Sequence, residues 1–284
     1  MPDDLRFRLM APPPGLGSDI RFMYEMLVPG GTGPLLNHPQ GAVDLILVLE
    51  GGVRFDKGPD GFRIRTPWSL VVPVQTEFFR FCFDPGTRIF GIALGPTGWQ
   101  RYVDAPRTGL VDRAMDPVAM GDPGFRALRE EVGGLHSDQW TSAVARWGAP
   151  RGGRCPDERR RRLRGGLDAL PTRRRMTVPQ LASELGMGER TLQRTFRREL
   201  GISPKTALRL ARFRRVMARM EGATSWSSLA VEEGFFDQAH LCNELRRFTG
   251  LPPVELRRRE RPLAEAFDRA RAEVGFEHEG ARRV

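Results

Sequence analysis

Apolar positions follow two different periods along the chain, and the change of period divides it in two. In roughly the first hundred residues, short apolar runs, some alternating with polar residues, are separated by turns rich in Gly, Pro and Asp. This pattern predicts β-strands. The predicted strands are 42–50, 62–65, 69–74, 77–83 and 88–94. Several short strands at this spacing indicate a small antiparallel sandwich or barrel within residues 1–150.

After "GPTGW" the apolar residues recur three and four positions apart, which predicts helices. Phe125, Leu128 and Val132 show this spacing within the predicted helix 123–134, and a second helix is predicted over 137–147. We expect these helices to cover the β-structure or to form a dimer contact.

A basic segment that also contains Gly and Pro, "GAPRGGRCPDERRRRLRGG", separates the two parts of the chain. We assign residues 1–150 to a β-rich domain for sensing or dimerisation, 151–160 to a basic linker, 161–262 to an all-α domain and 263–284 to a helical or disordered tail. The arginine run is either a solvated linker or an added attraction for phosphate beside the basic domain. The fold class is therefore α+β.

The helical part contains an internal repeat. "LASELGM" (181–187) aligns with "LAVEEGF" (229–235) at an offset of 48 residues, and "LQRTFRRELGISP" (192–204) aligns with "LCNELRRFTGLPP" (241–253) at an offset of 49. Each copy has an apolar-patterned helix, a Gly for a sharp turn, and a second helix with a basic side, an order typical of helix-turn-helix motifs. The residues between the copies, 203–220, predict one connecting helix about 26 Å long. That length would hold the two second helices near successive major grooves, about 34 Å apart on one face of DNA.

The positive charge belongs to the helical part. The whole chain has a net charge of +10, and residues 151–262 contain 26 Lys and Arg against 13 Asp and Glu, so the remaining residues carry −3. This segregation predicts a polyanionic partner for the C-terminal part and none for the N-terminal part.

Other classes of chemistry have no support in the sequence. Cys82, Cys155 and Cys242 are far apart, and the four histidines are scattered, so neither a disulfide framework nor a metal site is predicted. No catalytic triad, phosphate loop or nucleotide fingerprint is present, so we predict neither an enzyme nor a cofactor. No apolar run approaches the ~20 residues of a membrane helix, and the N-terminus lacks the features of a signal peptide, so we expect a cytoplasmic protein without a membrane partner.

The segment from about 157 to 261 resembles the DNA-binding domain of AraC/XylS-type regulators. The resemblance is carried by "LASELGMGERTLQRTFRRELGISP" and by "LAVEEGFFDQAHLCNELRRFTGLPPVELRR". The positions of the second stretch that fit the family pattern are Ala230, Gly234, Phe235, Gly250, Pro253 and Arg257. The stretch from "HPQGAVDLILVLEGG" to "FGIALGPTGWQRYV" is similar to uncharacterised cupin-like sensor domains of such regulators.

This resemblance implies a transcription regulator that binds double-stranded DNA and interacts with RNA polymerase. Its C-terminal domain would contain two helix-turn-helix motifs joined by a linker helix. Its N-terminal domain would be a small antiparallel β-barrel, cupin-like and accompanied by helices, which senses a small-molecule effector or forms a homodimer. The chain departs from the family at Asn243 and Leu245, where Arg and Phe are usual, and at Val216, where a small Ala is common. Leu245 still suits a core position, whereas Asn243 changes the surface chemistry.

In the first motif, the resemblance places Arg190, Gln193 and Arg194 where base edges are contacted. Arg can form two hydrogen bonds to guanine and Gln to adenine, and each pairing discriminates by about 1–3 kcal/mol. The alternative is that these side chains touch only phosphate or water. Arg197 and Arg198 lie further along the helix and are expected to contact phosphate, which positions the helix without specifying sequence.

In the second motif, the corresponding outward positions carry less charge. Gln238 or Asn243 would contact adenine, and Ala239 would meet a thymine methyl group. The alternative is that this motif mainly grips the DNA backbone through Arg246 and Arg247.

Aromatic residues of the predicted strands are candidates for an effector pocket. Trp68, Phe79 and Phe81, with Phe78 and Phe83, would line a cavity for a small apolar ligand, and the alternative is an ordinary core. The leading hypothesis is thus a sequence-specific transcription factor. A protein that coats DNA through charge, and an enzyme fused to a regulatory domain, are the two rival classes.

Overall fold

The computed structural model of the chain describes residues 5–37, 43–56, 62–65, 68–72, 74–95, 97, 99–103, 116–118, 121–151, 158–220, 222–223 and 225–258. The strands formed by these residues are β1 (Arg6–Met10), β2 (Ile20–Val28), β3 (Leu35–Asn37), β4 (Val43–Glu50), β5 (Gly52–Asp56), β6 (Phe62–Arg65), β7 (Trp68–Val72), β8 (Phe79–Phe83) and β9 (Thr87–Leu94). Their helices are α1 (Pro123–Gly133), α2 (Trp140–Gly148), α3 (Glu158–Ala169), α4 (Val178–Glu184), α5 (Glu189–Leu200), α6 (Pro204–Arg219), α7 (Trp226–Glu232), α8 (Gln238–Thr249) and α9 (Pro253–Arg258).

The strands form two antiparallel sheets. One sheet has the order β1-β2-β9-β4-β7 and the other the order β3-β8-β5-β6. Among the strands described here, no ladder joins one sheet to the other, so the domain is an open two-sheet structure and the predicted barrel is not closed. The predicted α+β class, an antiparallel β-domain followed by a helical domain, is confirmed.

The central strands are buried on both faces because a layer packs on each side of them. Side chains of alternate position point to opposite faces of a strand, so successive residues of β9 enter different layers. Phe90 packs against Trp140 of α2, with ring centroids 4.6 Å apart, while its neighbour Ile89 lies in the apolar cluster shared with the second sheet. Helices, first sheet and second sheet therefore form three layers.

The C-terminal domain begins with α3, which overlaps the end of the predicted linker. The helix starts at Glu158, whereas the sequence placed the linker at 151–160. The carboxylate of Glu158 accepts hydrogen bonds from Arg161 and Arg162, one turn ahead, and these bonds lower its pKa. Leu163 of α3 is buried, so this arginine-rich segment has an apolar side. Residues 152–157 of the linker and the predicted tail 263–284 lie outside the described residues.

Several contacts between described residues join the N-terminal domain to the helical one, including a hydrogen bond from Arg164 of α3 to the Ser18 carbonyl. Arg21 of β2 forms an ion pair with Asp168 of α3 at 2.6 Å, and the Phe78 ring lies against Gly250 at the end of α8. In the part of the chain covered by the structure, no helix is both long and apolar enough to cross a membrane.

Candidate nucleic-acid interface

The two sequence repeats fold into two helix pairs with the same turn. In the first pair, α4 and α5 are joined through Gly186 at φ 62°, and in the second pair α7 and α8 are joined through Gly234 at φ 74°. Glycine suits both positions because a positive φ is unfavourable for other residues. The Met187 and Phe235 amides each donate to the carbonyl five residues earlier, at 2.9 Å in both copies. The two units are therefore helix-turn-helix motifs of one design.

Each second helix buries one side against its own unit. On α5 the buried side includes Leu192 and Phe196, and on α8 it includes Leu241, Leu245 and Phe248. Of these residues, Leu245 was predicted to suit a core position, and the structure confirms it. A polar residue at any of them would act by unfolding the motif, so they carry no information about recognition.

The opposite side of α5 presents the predicted base-contacting residues to solvent. Arg190, Gln193, Arg194 and Arg197 are all exposed. Within the described part of the chain, none of these four side chains has a hydrogen bond or ion pair. Arg198 differs, because it forms an ion pair with Glu199 at 2.8 Å. The exposed side of α5 thus holds three arginines whose charges have no protein partner among the described residues.

The outward side of α8 is polar but carries charge only towards its end. Gln238, Ala239 and Asn243 are exposed, as are Arg246 and Arg247 in the last turn. The Gln238 Oε1 atom accepts a hydrogen bond from the Ser227 hydroxyl at 2.7 Å. The two second helices therefore differ in chemistry at equivalent positions.

Phe236 is a surface residue that sequence patterning did not single out. Its side chain is 91% exposed, and it directly precedes Asp237, the N-cap residue of α8. The sequence did contain a signal, because the repeat offset changes from 48 to 49 between Phe235 and Leu241, which places one extra residue in this turn. A large exposed apolar ring at the start of α8 is a candidate contact for a partner.

Arginines of α6 contact the second motif rather than solvent alone. Arg209 makes two hydrogen bonds to Glu244 of α8, at 2.8 and 2.5 Å. Arg212 lies over the Phe235 ring, 5.1 Å from its centroid, and donates to the Gly234 carbonyl at 3.3 Å. Part of the positive charge that predicted a polyanionic partner therefore holds the domain together.

In the N-terminal domain, the predicted pocket residues belong to one apolar cluster between the sheets. The rings of Phe79 and Phe81 are 5.8 Å apart, and both lie near Phe55, at 5.7 and 6.2 Å. Trp68 packs against the same cluster, and its buried indole N–H has no hydrogen-bond partner among the described residues. The structure thus brings these aromatic residues into one cluster.

Comparison with known protein families finds a match in the C-terminal domain. A family model described as a helix-turn-helix domain matches residues 181–259, which span α4 to α9. No curated protein sequence matches the chain.

The solved structures that are similar to the chain have low sequence identity to it. ToxT from Vibrio cholerae is 10% identical, with 89% of this chain and 96% of that chain covered and a TM-score of 0.44. A transcriptional regulator from Chromobacterium violaceum, with an AraC-type DNA-binding domain, is 20% identical, with 37% and 95% covered and a TM-score of 0.34. The C-terminal domain of AraT, a response regulator from Geobacillus stearothermophilus, is 20% identical, with 37% and 87% covered and a TM-score of 0.32.

The family match coincides with the two repeated helix pairs. It begins at Leu181 in α4, includes both glycine turns and both exposed second helices, and ends just after α9. Residues 181–259 therefore form a helix-turn-helix domain.

Proposed function

We propose that the chain binds a two-part DNA site, with α5 and α8 in successive major grooves of one duplex. The observation that carries the proposal is the repeated unit itself, in which two equal turns each present the outer side of a second helix. One helix, α6, connects the two units, and its 16 residues correspond to about 24 Å. A rigid connection of this kind favours one asymmetric site over two independent ones.

In this proposal α5 supplies most of the sequence discrimination. Arg190 and Arg194 hydrogen-bond guanine, and Gln193 hydrogen-bonds adenine. Arg197 and Arg198 contact phosphate and fix the position of the helix. The exposure of Arg190, Gln193 and Arg194 supports these roles, because a side chain without a protein partner keeps its donors for DNA.

The second motif contributes more contacts to the DNA backbone than contacts that distinguish one base from another. Arg246 and Arg247 contact the backbone, while Ala239 lies near a thymine methyl group. Asn243 is the better candidate for adenine, since the Ser227 hydroxyl already occupies one lone pair of Gln238. Specificity in this half of the site is therefore expected to be weaker.

The N-terminal domain regulates binding in this proposal. A small apolar effector would enter the aromatic cluster of Trp68, Phe79 and Phe81. The Trp68 indole N–H, which has no hydrogen-bond partner among the described residues, would offer one directed hydrogen bond there. Dimerisation through this domain and contact with RNA polymerase belong to the same proposal.

Selection of binding sites from a random duplex pool by the full chain tests the proposed function. We expect an enriched motif with two conserved blocks about one helical turn, 10–11 base pairs, apart. The block bound by α5 should be the more strongly conserved. A protein that coats DNA through charge would enrich no motif, and its binding would simply weaken as salt increases.

A further inference from the structure

The repeat places a carboxylate where its first copy has a leucine. Leu185 and Glu233 are equivalent at the offset of 48, and each directly precedes its turn glycine. Leu185 is 5% exposed and Glu233 is 0% exposed. The backbone is the same in both copies, because each of these amides donates to the carbonyl four residues earlier, at 3.1 and 3.0 Å. The second copy therefore has a buried carboxylate, Glu233, at a position where the first copy has the apolar side chain of Leu185.

Arginines from α6 surround this carboxylate. Arg215 donates to Glu233 at 2.7 Å, and Arg219 donates to its other oxygen and to the neighbouring Glu232. Burial opposes ionisation of Glu233, but the hydrogen bonds and charges of the two arginines outweigh it and hold the pKa of the carboxyl below its ordinary value. The second motif is thus tied to the connecting helix by an ionised, fully bonded group.

The same cluster also reaches the segment that leads into the first motif. Residues 170–177 connect α3 to α4, and Arg215 donates to the Leu170 carbonyl of this segment at 3.1 Å. Arg174 lies 4.0 Å from the Glu233 carboxylate, and Arg175 donates to the Val231 carbonyl of α7 at 3.1 Å. Arg175 has a φ of 57°, which is uncommon for a residue with a side chain.

We propose that Glu233 is a positioning residue that fixes the place of α8 relative to α5, and so the spacing between the two DNA elements. The proposal rests on the proposed two-part site. Glu233 joins the second motif both to α6 and to the segment entering the first motif, so it closes a second connection between the motifs. Without it, α6 and the single hydrogen bond from Arg175 to the Val231 carbonyl remain to hold the two units in register.

The test measures dissociation constants of the full chain for duplexes in which the selected elements are separated by the optimal spacing, or by one base pair more or fewer. We expect the wild type to prefer the optimal spacing by about tenfold, and Glu233→Gln to prefer it by less than about threefold. Affinity for a duplex with only the α5 element should stay unchanged. Glu232→Gln is the matched control, because it removes the neighbouring, half-exposed carboxylate of the same cluster, and it should keep the wild-type spacing profile.

A second variant, Arg215→Lys, keeps the positive charge. It removes the guanidinium group, whose separate nitrogens donate to the Glu233 carboxylate and to the Leu170 carbonyl. It should broaden the spacing profile in the same direction even if Glu233→Gln folds poorly. A wild-type profile in both variants overturns the proposal. An equal loss on the single-element and two-element duplexes also overturns it, because that result assigns Glu233 to folding alone. Failure of the wild type to select any two-part site is seen before variants are made, and it removes the proposed function and this inference together.

Discussion

At the scale of single residues, the arginines of the C-terminal domain have two different roles that composition does not separate. Arg190, Arg194 and Arg197 point outward without a partner among the described residues, whereas Arg209 and Arg215 bind acids within the domain. The net charge of residues 151–262 predicted the class of partner. Only the contacts within the folded domain show which guanidinium groups are available to that partner.

Base contact and phosphate contact can be distinguished on α5. Arg190→Ala and Arg194→Ala should each weaken binding to the selected site by about 1–3 kcal/mol, with a smaller effect on random duplex, because a bidentate contact to guanine exists only on the cognate sequence. Arg197→Ala should weaken binding to both duplexes and reduce the salt dependence by about one phosphate contact. Affinities measured on both duplexes at several salt concentrations check this, and equal losses for all three variants would contradict the base contacts.

Phe236 is expected to meet DNA at the start of α8, where the apolar groups available in the major groove are thymine methyls. Replacing the contacted thymine by deoxyuridine removes one methyl group, worth about 0.8 kcal/mol, so wild-type affinity should fall about fourfold at that position. The loss should disappear in Phe236→Ser. Val254→Ser is the matched control, since Val254 is another exposed apolar residue, 56% exposed on α9. If deoxyuridine has the same effect on Phe236→Ser as on the wild type at every position, the ring does not contact a thymine methyl.

At the scale of elements, the stability of the second motif should depend on pH through Glu233. Its pKa is lowered in the folded protein, so its contribution is complete above the unfolded value of about 4.3 and is lost as pH falls through the lower folded value. At pH 7, Glu233→Gln should reduce the free energy of unfolding by about 1–3 kcal/mol, because charged hydrogen bonds to two arginines are weakened.

The difference between the wild type and Glu233→Gln should shrink as the pH drops below about 4.3, because the unfolded wild type then binds a proton at this carboxyl while the folded protein, with its lower pKa, does not. Denaturant unfolding at pH values from 7 to 3 measures this. Glu232→Gln, by contrast, should stay within about 0.5 kcal/mol of the wild type at pH 7, as expected for a surface substitution. If the difference in free energy of unfolding between the wild type and Glu233→Gln does not change with pH, the Glu233 carboxyl is not ionised in the folded state.

Sequence periodicity predicted elements well where one face is buried and the other is polar. The predicted strand 42–50 corresponds to β4, and the connecting helix predicted over 203–220 corresponds to α6, which has Ser203 as its N-cap. Periodicity missed β2, "IRFMYEMLV", because that strand lies inside the sheet and has buried or half-buried residues on both faces, so it does not alternate.

The helix α3 was missed for a different reason. Its arginine run dominated the interpretation as a linker, yet Leu163, Leu167 and Leu170 recur at helical spacing, and Leu163 and Leu170 are buried. The exposed side of α5 could be predicted, because its residues are local to one helix. The cluster around Glu233 could not, because it joins residues far apart in sequence.

At the scale of the whole molecule, the N-terminal domain touches the end of α8, the second helix of the second motif. Gly250 ends α8 in the left-handed conformation, at φ 70°, and the Phe78 ring lies where a Cβ at this position would be. Arg80 lies over the same ring, 5.8 Å from its centroid. The segment between β7 and β8, next to the aromatic cluster, is therefore in contact with the motif that it would regulate.

A double-mutant cycle between these residues tests whether the two domains are coupled in solution. Gly250→Ala should destabilise the full chain by more than the ~1–2 kcal/mol expected for placing a side chain at a positive φ, because the new methyl group also overlaps the Phe78 ring. Phe78→Ala makes room for that methyl group, so the double variant should lose less stability than the sum of the two single variants, by about 0.5–3 kcal/mol. Thermal unfolding of the four proteins gives the coupling. Strict additivity would show that the ring does not rest on Gly250 in solution, and the N-terminal domain would then have to act on α8 by another route.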